Sequence, residues 1–313
     1  MSADHRDSHV DTTDVLDVAA TEVVRYPPNG RLQVPIGTRR GASAAVATSM
    51  ACKRAPLALH HGAALYTWLF GARALPGARA RADAGLEHAS EVFAACRSAV
   101  GAFDAVALVT RRQEERSGML ALLLRDDEPV AFVKAAPQGS GHGLEVERAC
   151  LSALSAERDA PVSVPAPLGG GVTASNIGWT AMEPLPPRPH RPAWSAPVST
   201  VVAWLQDGLD GVLPLATDAP AHWRPMHGDF APWNLRRVFR GPLVLFDFED
   251  AGFAPPEADR TYWKVTSAVL RGDRPSSVLD GESRDYWHTV VAARLERAVD
   301  PDLDQRLLAA FRP

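Results

Sequence analysis

Between His227 and Asp250 the sequence places side chains whose types and spacing suit one reaction. His227-Gly228-Asp229-Phe230-Ala231-Pro232-Trp233-Asn234 is followed, after twelve intervening residues, by Asp247-Phe248-Glu249-Asp250. An aspartate, an asparagine five residues on, and a second aspartate just after an apolar strand form the layout that phosphoryl transfer requires. Asp229 is the candidate to orient an attacking hydroxyl and accept its proton. The Asn234 amide oxygen and the Asp247 carboxylate would hold Mg²⁺ against the phosphates. Magnesium prefers hard oxygen ligands, and a triphosphate brings so much negative charge that one or two protein carboxylates suffice beside it. The plainer alternative is a polar turn whose Asp and Asn cap local backbone and whose His is packed in the core. The strand-borne Asp-Phe-Glu at this separation argues against it.

Such a site needs a cation from a second element to hold the donor's phosphates. Lys134 stands in the apolar run Val130-Ala131-Phe132-Val133-Lys134-Ala135-Ala136, and it is one of only three lysines among 33 basic residues. A compact ammonium suits α- and β-phosphates better than a planar guanidinium. On the helix predicted over Leu144–Ala156, Glu147, Leu151 and Leu154 recur at i, i+4 and i+7 and so share one face. A carboxylate on that inward stripe requires a cationic partner, since an unpaired buried charge is costly. Lys134 is the natural one. Short apolar runs at Ala105–Val109, Met119–Leu124 and Val130–Ala136 predict an antiparallel meander, and Ile177–Met182 and Leu243–Phe246 predict two further strands.

The pair His227-Gly228-Asp229-Phe230-Ala231-Pro232-Trp233-Asn234-Leu235 and Leu243-Val244-Leu245-Phe246-Asp247-Phe248-Glu249-Asp250 resembles the signature of the aminoglycoside phosphotransferase and choline kinase-like family, small-molecule kinases on the protein-kinase fold. The likeness spans about residues 103 to 270. It implies an α+β, two-lobed fold: a small antiparallel-sheet N-lobe with one helix over 103–183, and a mostly helical C-lobe over 184–313. It implies Asp229 as catalytic base, Asn234 and Asp247 as Mg²⁺ ligands, Lys134 on the phosphates and Glu147 positioning that lysine. ATP would be the phosphoryl donor. Asp259 looks like the family's acid that supports the catalytic loop. The family's adenine site has a counterpart in Glu183 and Leu185, whose carbonyl and amide flank Pro184 and are spaced for an adenine edge. The sequence departs from the pattern where no glycine-rich loop covers the phosphates. Arg111, Arg112 and Ser117 stand in the equivalent stretch. Only about forty residues separate the adenine segment from His227, which abbreviates the region that shapes the acceptor pocket.

Composition bounds the rest. A net charge of −4 and pI near 6.2 argue against a general grip on nucleic acid. Three widely spaced cysteines with no C-x-x-C suggest neither disulfides nor a thiolate zinc site, which fits a reducing cytoplasm. Neither a secretory signal nor a membrane-spanning run is expected. Residues 1–22 are polar and acidic and read as a disordered tail. Residues 23–102 read as a basic, mainly helical segment, with helices over Ala42–Cys52, Leu57–Leu75 and Gly85–Val100. From Val23 to Arg81 there are nine positive charges and no Asp or Glu. The plainer reading is a helical unit packed on the rest with its arginines in water. The sharper one is a surface for an anionic partner or lipid headgroups, and the absence of a clean basic amphipathic face favours the former. The functional reading is an ATP- and Mg²⁺-dependent phosphotransferase acting on a hydroxyl of a small molecule: an aminoglycoside, sugar, nucleoside or amino alcohol. The alternative is an inactive binding module that keeps the fold and works through a partner or anionic surface.

Overall fold

The structure, a computed structural model, describes residues 21–26, 31–48, 51–110, 118–139, 143–214, 219–275, 278–297 and 300–312. Among these, eight strands make one antiparallel sheet in the order β3-β1-β2-β4-β5-β6-β8-β7. They are β1 (Glu22–Tyr26), β2 (Leu32–Pro35), β3 (Ala78–Arg81), β4 (Ala105–Thr110), β5 (Met119–Arg125), β6 (Glu128–Pro137), β7 (Pro167–Val172) and β8 (Ile177–Met182). β4, β5 and β6 are the expected meander. The β5–β6 turn places Asp126 and Asp127 at φ of 51° and 63°, the left-handed pair that lets a two-residue turn follow the strand twist.

The expected basic, mainly helical segment over 23–102 carries strands as well as helices. Its β1 to β3 extend the same sheet, with Leu32 opposite Val109 and Gln33 opposite Leu108, so the sheet runs across residue 102. Both faces of β1 are covered, Val23 packing with Phe93 and Cys96 and Val24 and Tyr26 with Ala42 and Ala64, so the strand lacks the inside-outside alternation that marks one in a sequence. The segment also carries α1 (Arg40–Ala47), α2 (Arg54–Phe70), a 3₁₀ turn (Ala72–Ala74) and α3 (Ala89–Val100). Glu22, expected in the tail, begins β1; residues 1–20 lie outside the described residues.

Alternate side chains give the sheet two faces. On one, Val106, Leu108, Met119, Ala121, Val133 and Ala135 meet Val92, Phe93 and Cys96 of α3. On the other, Ala105, Ala107, Leu122 and Leu124 meet Ala44 and Ala45 of α1, with Phe132 against them. The Asp127 carboxylate accepts hydrogen bonds from the amides of Arg39, Arg40 and Gly41 at 2.8–3.1 Å, placing an anion at the start of α1.

Helix α4 (Leu144–Leu154) connects the sheet to the second lobe: its Cys150, Leu151 and Leu154 sit in a core with Val201, Leu205, Phe230 and Leu245. That lobe comprises α5 (Val198–Gly208), short strands β9 (His190–Pro192), β10 (Arg224–Met226), β11 (Leu235–Val238), β12 (Leu243–Leu245) and β13 (Gly252–Ala254), then α6 (Ala258–Arg271), α7 (Gly281–Glu296) and α8 (Pro301–Phe311). The last three helices close around Tyr262, Trp287, Val291, Leu307 and Phe311. The result is the expected α+β, two-lobed layout, with the cleft between the lobes.

Candidate active site

Lys134 lies in the middle of β6, opposite Leu120 on one side and Thr180 on the other. Strand alternation sends Phe132 and Lys134 to the cleft face and Val133 and Ala135 to the α3 face. Lys134 is 6 % exposed, and its ammonium reaches three carboxylates: Asp247 Oδ1 at 2.6 Å, Glu147 Oε1 at 2.7 Å and Glu249 Oε1 at 2.9 Å. Three acceptors match the three donors of an ammonium. Burial works against its charge, but Asp247, Glu147 and Glu249 outweigh that and hold the amine above its usual pKa.

Glu147 comes from the first turn of α4. Gly143, just before that helix, allows the close approach: a Cβ there would stand 1.9 Å from the carbonyl oxygen of Glu249. Glu147 is fully buried, and its Oε1 also accepts the Phe248 amide at 3.2 Å, so it braces the lysine and the Asp247–Phe248 segment together. Burial pushes its carboxyl up to about 7 against the pull of Lys134. Asp247 takes a positive φ of 73°, a conformation uncommon outside glycine, although Asp and Asn adopt it more readily than most residues.

The second half of the site is the loop after β10. Asp229 Oδ2 accepts from Trp233 Nε1 and Asn234 Nδ2, both at 2.8 Å. Asn234 Nδ2 also donates to the Asp229 carbonyl at 3.0 Å, which leaves the Asn234 amide oxygen for another partner. Asp229 Oδ1 is buried outside hydrogen-bonding geometry. Burial raises the Asp229 carboxyl to about 6, partly offset by the Arg294 charge and the Trp233 hydrogen bond.

The loop itself is pinned from beneath. Asp259 accepts the His227 amide at 2.8 Å and also bonds the Gly228 amide; burial lifts it to about 7. His227 is buried, its Nε2 contacting the Phe246 carbonyl at 3.1 Å while Nδ1 accepts the Asp229 amide at 3.2 Å. Those contacts assign the proton to Nε2, and burial lowers the imidazole pKa to about 4, so the ring is neutral at pH 7. Gly228, at φ 82°, has no substitute: a Cβ would meet the Asp250 carbonyl oxygen at 1.8 Å.

A cavity of about 930 Å³ opens beside Lys134 and Asp247. Lys134, Asp247, Glu249 and Trp233 line it, as do Glu183 and Leu185. Among the described residues, neither the Glu183 carbonyl nor the Leu185 amide takes part in a backbone hydrogen bond, although the Glu183 amide donates to the Ala166 carbonyl at 2.8 Å. The structure thus gathers Lys134, Glu147 and Asp247 by direct contact, with Glu183 and Leu185 on the cavity wall, and sets Asp229 and Asn234 on the adjoining loop, where the Asn234 carbonyl accepts the Phe246 amide at 3.3 Å. Ser117, with Arg111 and Arg112, lies outside the described residues.

No group of three or more His, Cys, Asp and Glu side chains among the described residues is arranged to hold a metal. The donor set fits Mg²⁺ in another way. Around Lys134 three carboxylates face one cation, an excess of negative charge, and the Asn234 amide oxygen lies on the adjoining loop.

Several participants escaped the sequence reading. Glu249 was visible two residues after Asp247, but nothing in the spacing showed that it turns toward Lys134. Arg294 of α7 donates to the Tyr262 hydroxyl at 3.0 Å and acts electrostatically on Asp229, a link from about sixty residues downstream with no motif to announce it. The far wall of the cavity, which includes Ala45, Val46, Cys52, Lys53, Pro56 and His60, belongs to the N-terminal segment.

Among solved structures, an aminoglycoside 2′-phosphotransferase-IIIa in its GDP complex is 11 % identical, with coverage of 72 % of this chain and 97 % of that one and a TM-score of 0.46. A macrolide 2′-phosphotransferase from Brachybacterium faecium is 14 % identical, covering 70 % and 97 % at 0.41. The aminoglycoside phosphotransferase APH(3″)-Id from Streptomyces rimosus is 15 % identical, covering 72 % and 98 % at 0.40. No curated protein matches the chain. Over residues 202–289, the stretch that holds Asp229, Asn234 and Asp247, the chain matches the model of the phosphotransferase enzyme family, APH.

Proposed function

We propose that this protein is an ATP- and Mg²⁺-dependent phosphotransferase that moves the γ-phosphoryl group to a hydroxyl of a small molecule. The observation that carries the reading is the convergence of Lys134, Glu147 and Asp247 within 2.7 Å contacts, on a segment whose Phe246 amide bonds the carbonyl of Asn234, the partner of Asp229. The adenine edge would bond the Glu183 carbonyl and Leu185 amide. Lys134, steadied by Glu147, would bind phosphate oxygens. Asp247 and the Asn234 amide oxygen would hold Mg²⁺, which supplies charge neutralisation along the triphosphate. Asp229 would orient the acceptor hydroxyl and take its proton as oxygen attacks the γ-phosphorus and the bond to the leaving diphosphate breaks. The Trp233 and Asn234 hydrogen bonds fix the carboxylate for that role. Nothing among the described residues favours an inactive module, since each side chain the chemistry needs is present.

The test is nucleotide consumption with a panel of aminoglycosides, sugars, nucleosides and amino alcohols, with Asp229→Asn as control. The expected outcome is acceptor-dependent turnover that falls roughly 10²- to 10⁴-fold in the variant, while nucleotide affinity stays near that of the parent. Equal turnover in the two proteins would reject Asp229 as the base, and absence of Mg²⁺-dependent nucleotide binding would reject the reading altogether.

A further inference from the structure

Helix α2 turns an apolar side away from the molecule. Of its 17 residues only Ala64 and Thr67 are buried, whereas Leu59, Leu65 and Phe70 are 66, 59 and 61 % exposed, and Tyr66 and Leu69 are exposed with them. At about 100° per residue, those five side chains fall within an arc of about 140°. The other residues on that arc are Ala55, Ala58 and Gly62, so no charge interrupts the stripe. The Tyr66 and Phe70 rings, 4.9 Å apart, broaden its C-terminal end.

Cations stand at both ends of the stripe. Lys53 and Arg54 are exposed at the N-terminal end, and Arg73 is exposed just past the C-terminal end. Arg39 is exposed beside Gly71, its Cγ 3.6 Å from where a Cβ on that glycine would be. Arg40 does not count, because Glu128 neutralises it at 2.7 Å. No Asp or Glu occurs anywhere between residues 23 and 81. An apolar helix face bordered by cations complements a surface that is apolar within and anionic outside. A second copy of the chain would bring the same cations face to face, so charge argues against self-association through this stripe.

We propose that α2 is an interfacial docking helix. It lays Leu59, Leu65, Tyr66, Leu69 and Phe70 into the outer layer of an anionic lipid bilayer, while Lys53, Arg54, Arg39 and Arg73 meet headgroup phosphates. The contact is with one face of the membrane only, as no helix among the described residues is long and apolar enough to cross it. Because Lys53, Pro56 and His60 line the cleft, docking brings the cavity close to the lipid surface.

Flotation of the full chain with phosphatidylcholine vesicles, with and without about a third phosphatidylglycerol, tests the proposal. The protein is expected to float with the anionic vesicles alone and to be released as salt rises. The pair Leu69→Glu with Phe70→Glu should weaken binding roughly tenfold or more, and the pair Arg54→Gln with Arg73→Gln should do the same. The altered side chains are exposed, so both variants should melt near the parent temperature; if the first pair failed to fold, the arginine pair would still decide the matter. No flotation with anionic vesicles at low ionic strength, or flotation unchanged in the arginine pair, would overturn the proposal. So would a parent protein that sediments as a dimer and does not float, with monomer restored by Leu69→Glu and Phe70→Glu.

Discussion

Asp229 keeps one carboxylate oxygen under two donors, Trp233 and Asn234, and buries the other. The two effects oppose each other. Donors favour the ionised form and burial the neutral one, and burial wins to the extent of a pKa near 6. A base at about 6 is ionised at neutral pH yet retains enough affinity for a proton to accept one in the transition state. In the proposed role as base the carboxylate must be ionised, so kcat/KM should be level above pH about 6 and fall roughly tenfold per unit below it. A pH–rate profile of kcat/KM, which reports the groups of the free enzyme, checks this. An acid limb near pH 4, typical of an exposed aspartate, would mean that the side chain is not held as described. Of these features the sequence revealed the residue types, through the spacing of Asp229, Asn234 and Asp247. The burial that moves the pKa depends on packing from α6 and α7 and was not legible.

At the scale of elements, the site depends on two loops that approach each other closely, and glycine permits it. Gly228 combines a φ of 82° with a distance of only 1.8 Å from a would-be Cβ to the Asp250 carbonyl oxygen. Replacement by alanine adds the cost of an unfavourable backbone to a clash with main chain, which cannot rotate away. Gly228→Ala should therefore destabilise the fold by roughly 2–4 kcal/mol and displace Asp229. Urea unfolding and turnover measured together check both effects; a stable variant of parental activity would contradict the geometry. The helix α4 and the meander were readable because their apolar periods are long and distinct. The glycine-rich strand β7 was not, since Pro167-Leu168-Gly169-Gly170-Gly171-Val172 carries few of the side chains that usually signal a strand.

Across the whole molecule, the N-terminal segment is bolted to the second lobe by a buried arginine. Arg236 of β11 donates to the Ala51 carbonyl at 3.1 Å and to His190 Nδ1 at 3.1 Å, and it approaches Cys52 Sγ at 3.8 Å. His190 in turn contacts the Ala47 carbonyl at 2.7 Å, and His61 the His190 carbonyl at 3.1 Å. Burial lowers the arginine to about 10, still charged at pH 7. Through these bonds α1 and α2 form the far wall of the cavity, so their docking and the shape of the cavity are coupled. Arg236→Ala should loosen the segment: amide hydrogen exchange in α1 and α2 should rise roughly tenfold or more, consistent with the loss of several hydrogen bonds to a charged group, and nucleotide affinity should fall with it. Unchanged exchange in these helices would show that the bolt contributes nothing.

The sequence alone determined the candidate reacting groups, the lysine proposed to act with them and the meander that carries it, because each is written in local spacing: five residues from Asp229 to Asn234, and a strand period around Lys134. It also determined that residues 23–81 hold cations without acids. Tertiary structure alone decided where that segment packs and which side of it stays exposed. Leucines and aromatics in α2 have the composition of a core, and only the packing of α1, the sheet and β9 sends one side inward and leaves the other in water. The same holds for Glu249, Arg294 and Arg236, whose partners lie tens to hundreds of residues away. Burial and long-range charge are set by which surfaces meet in space, and no local pattern records that.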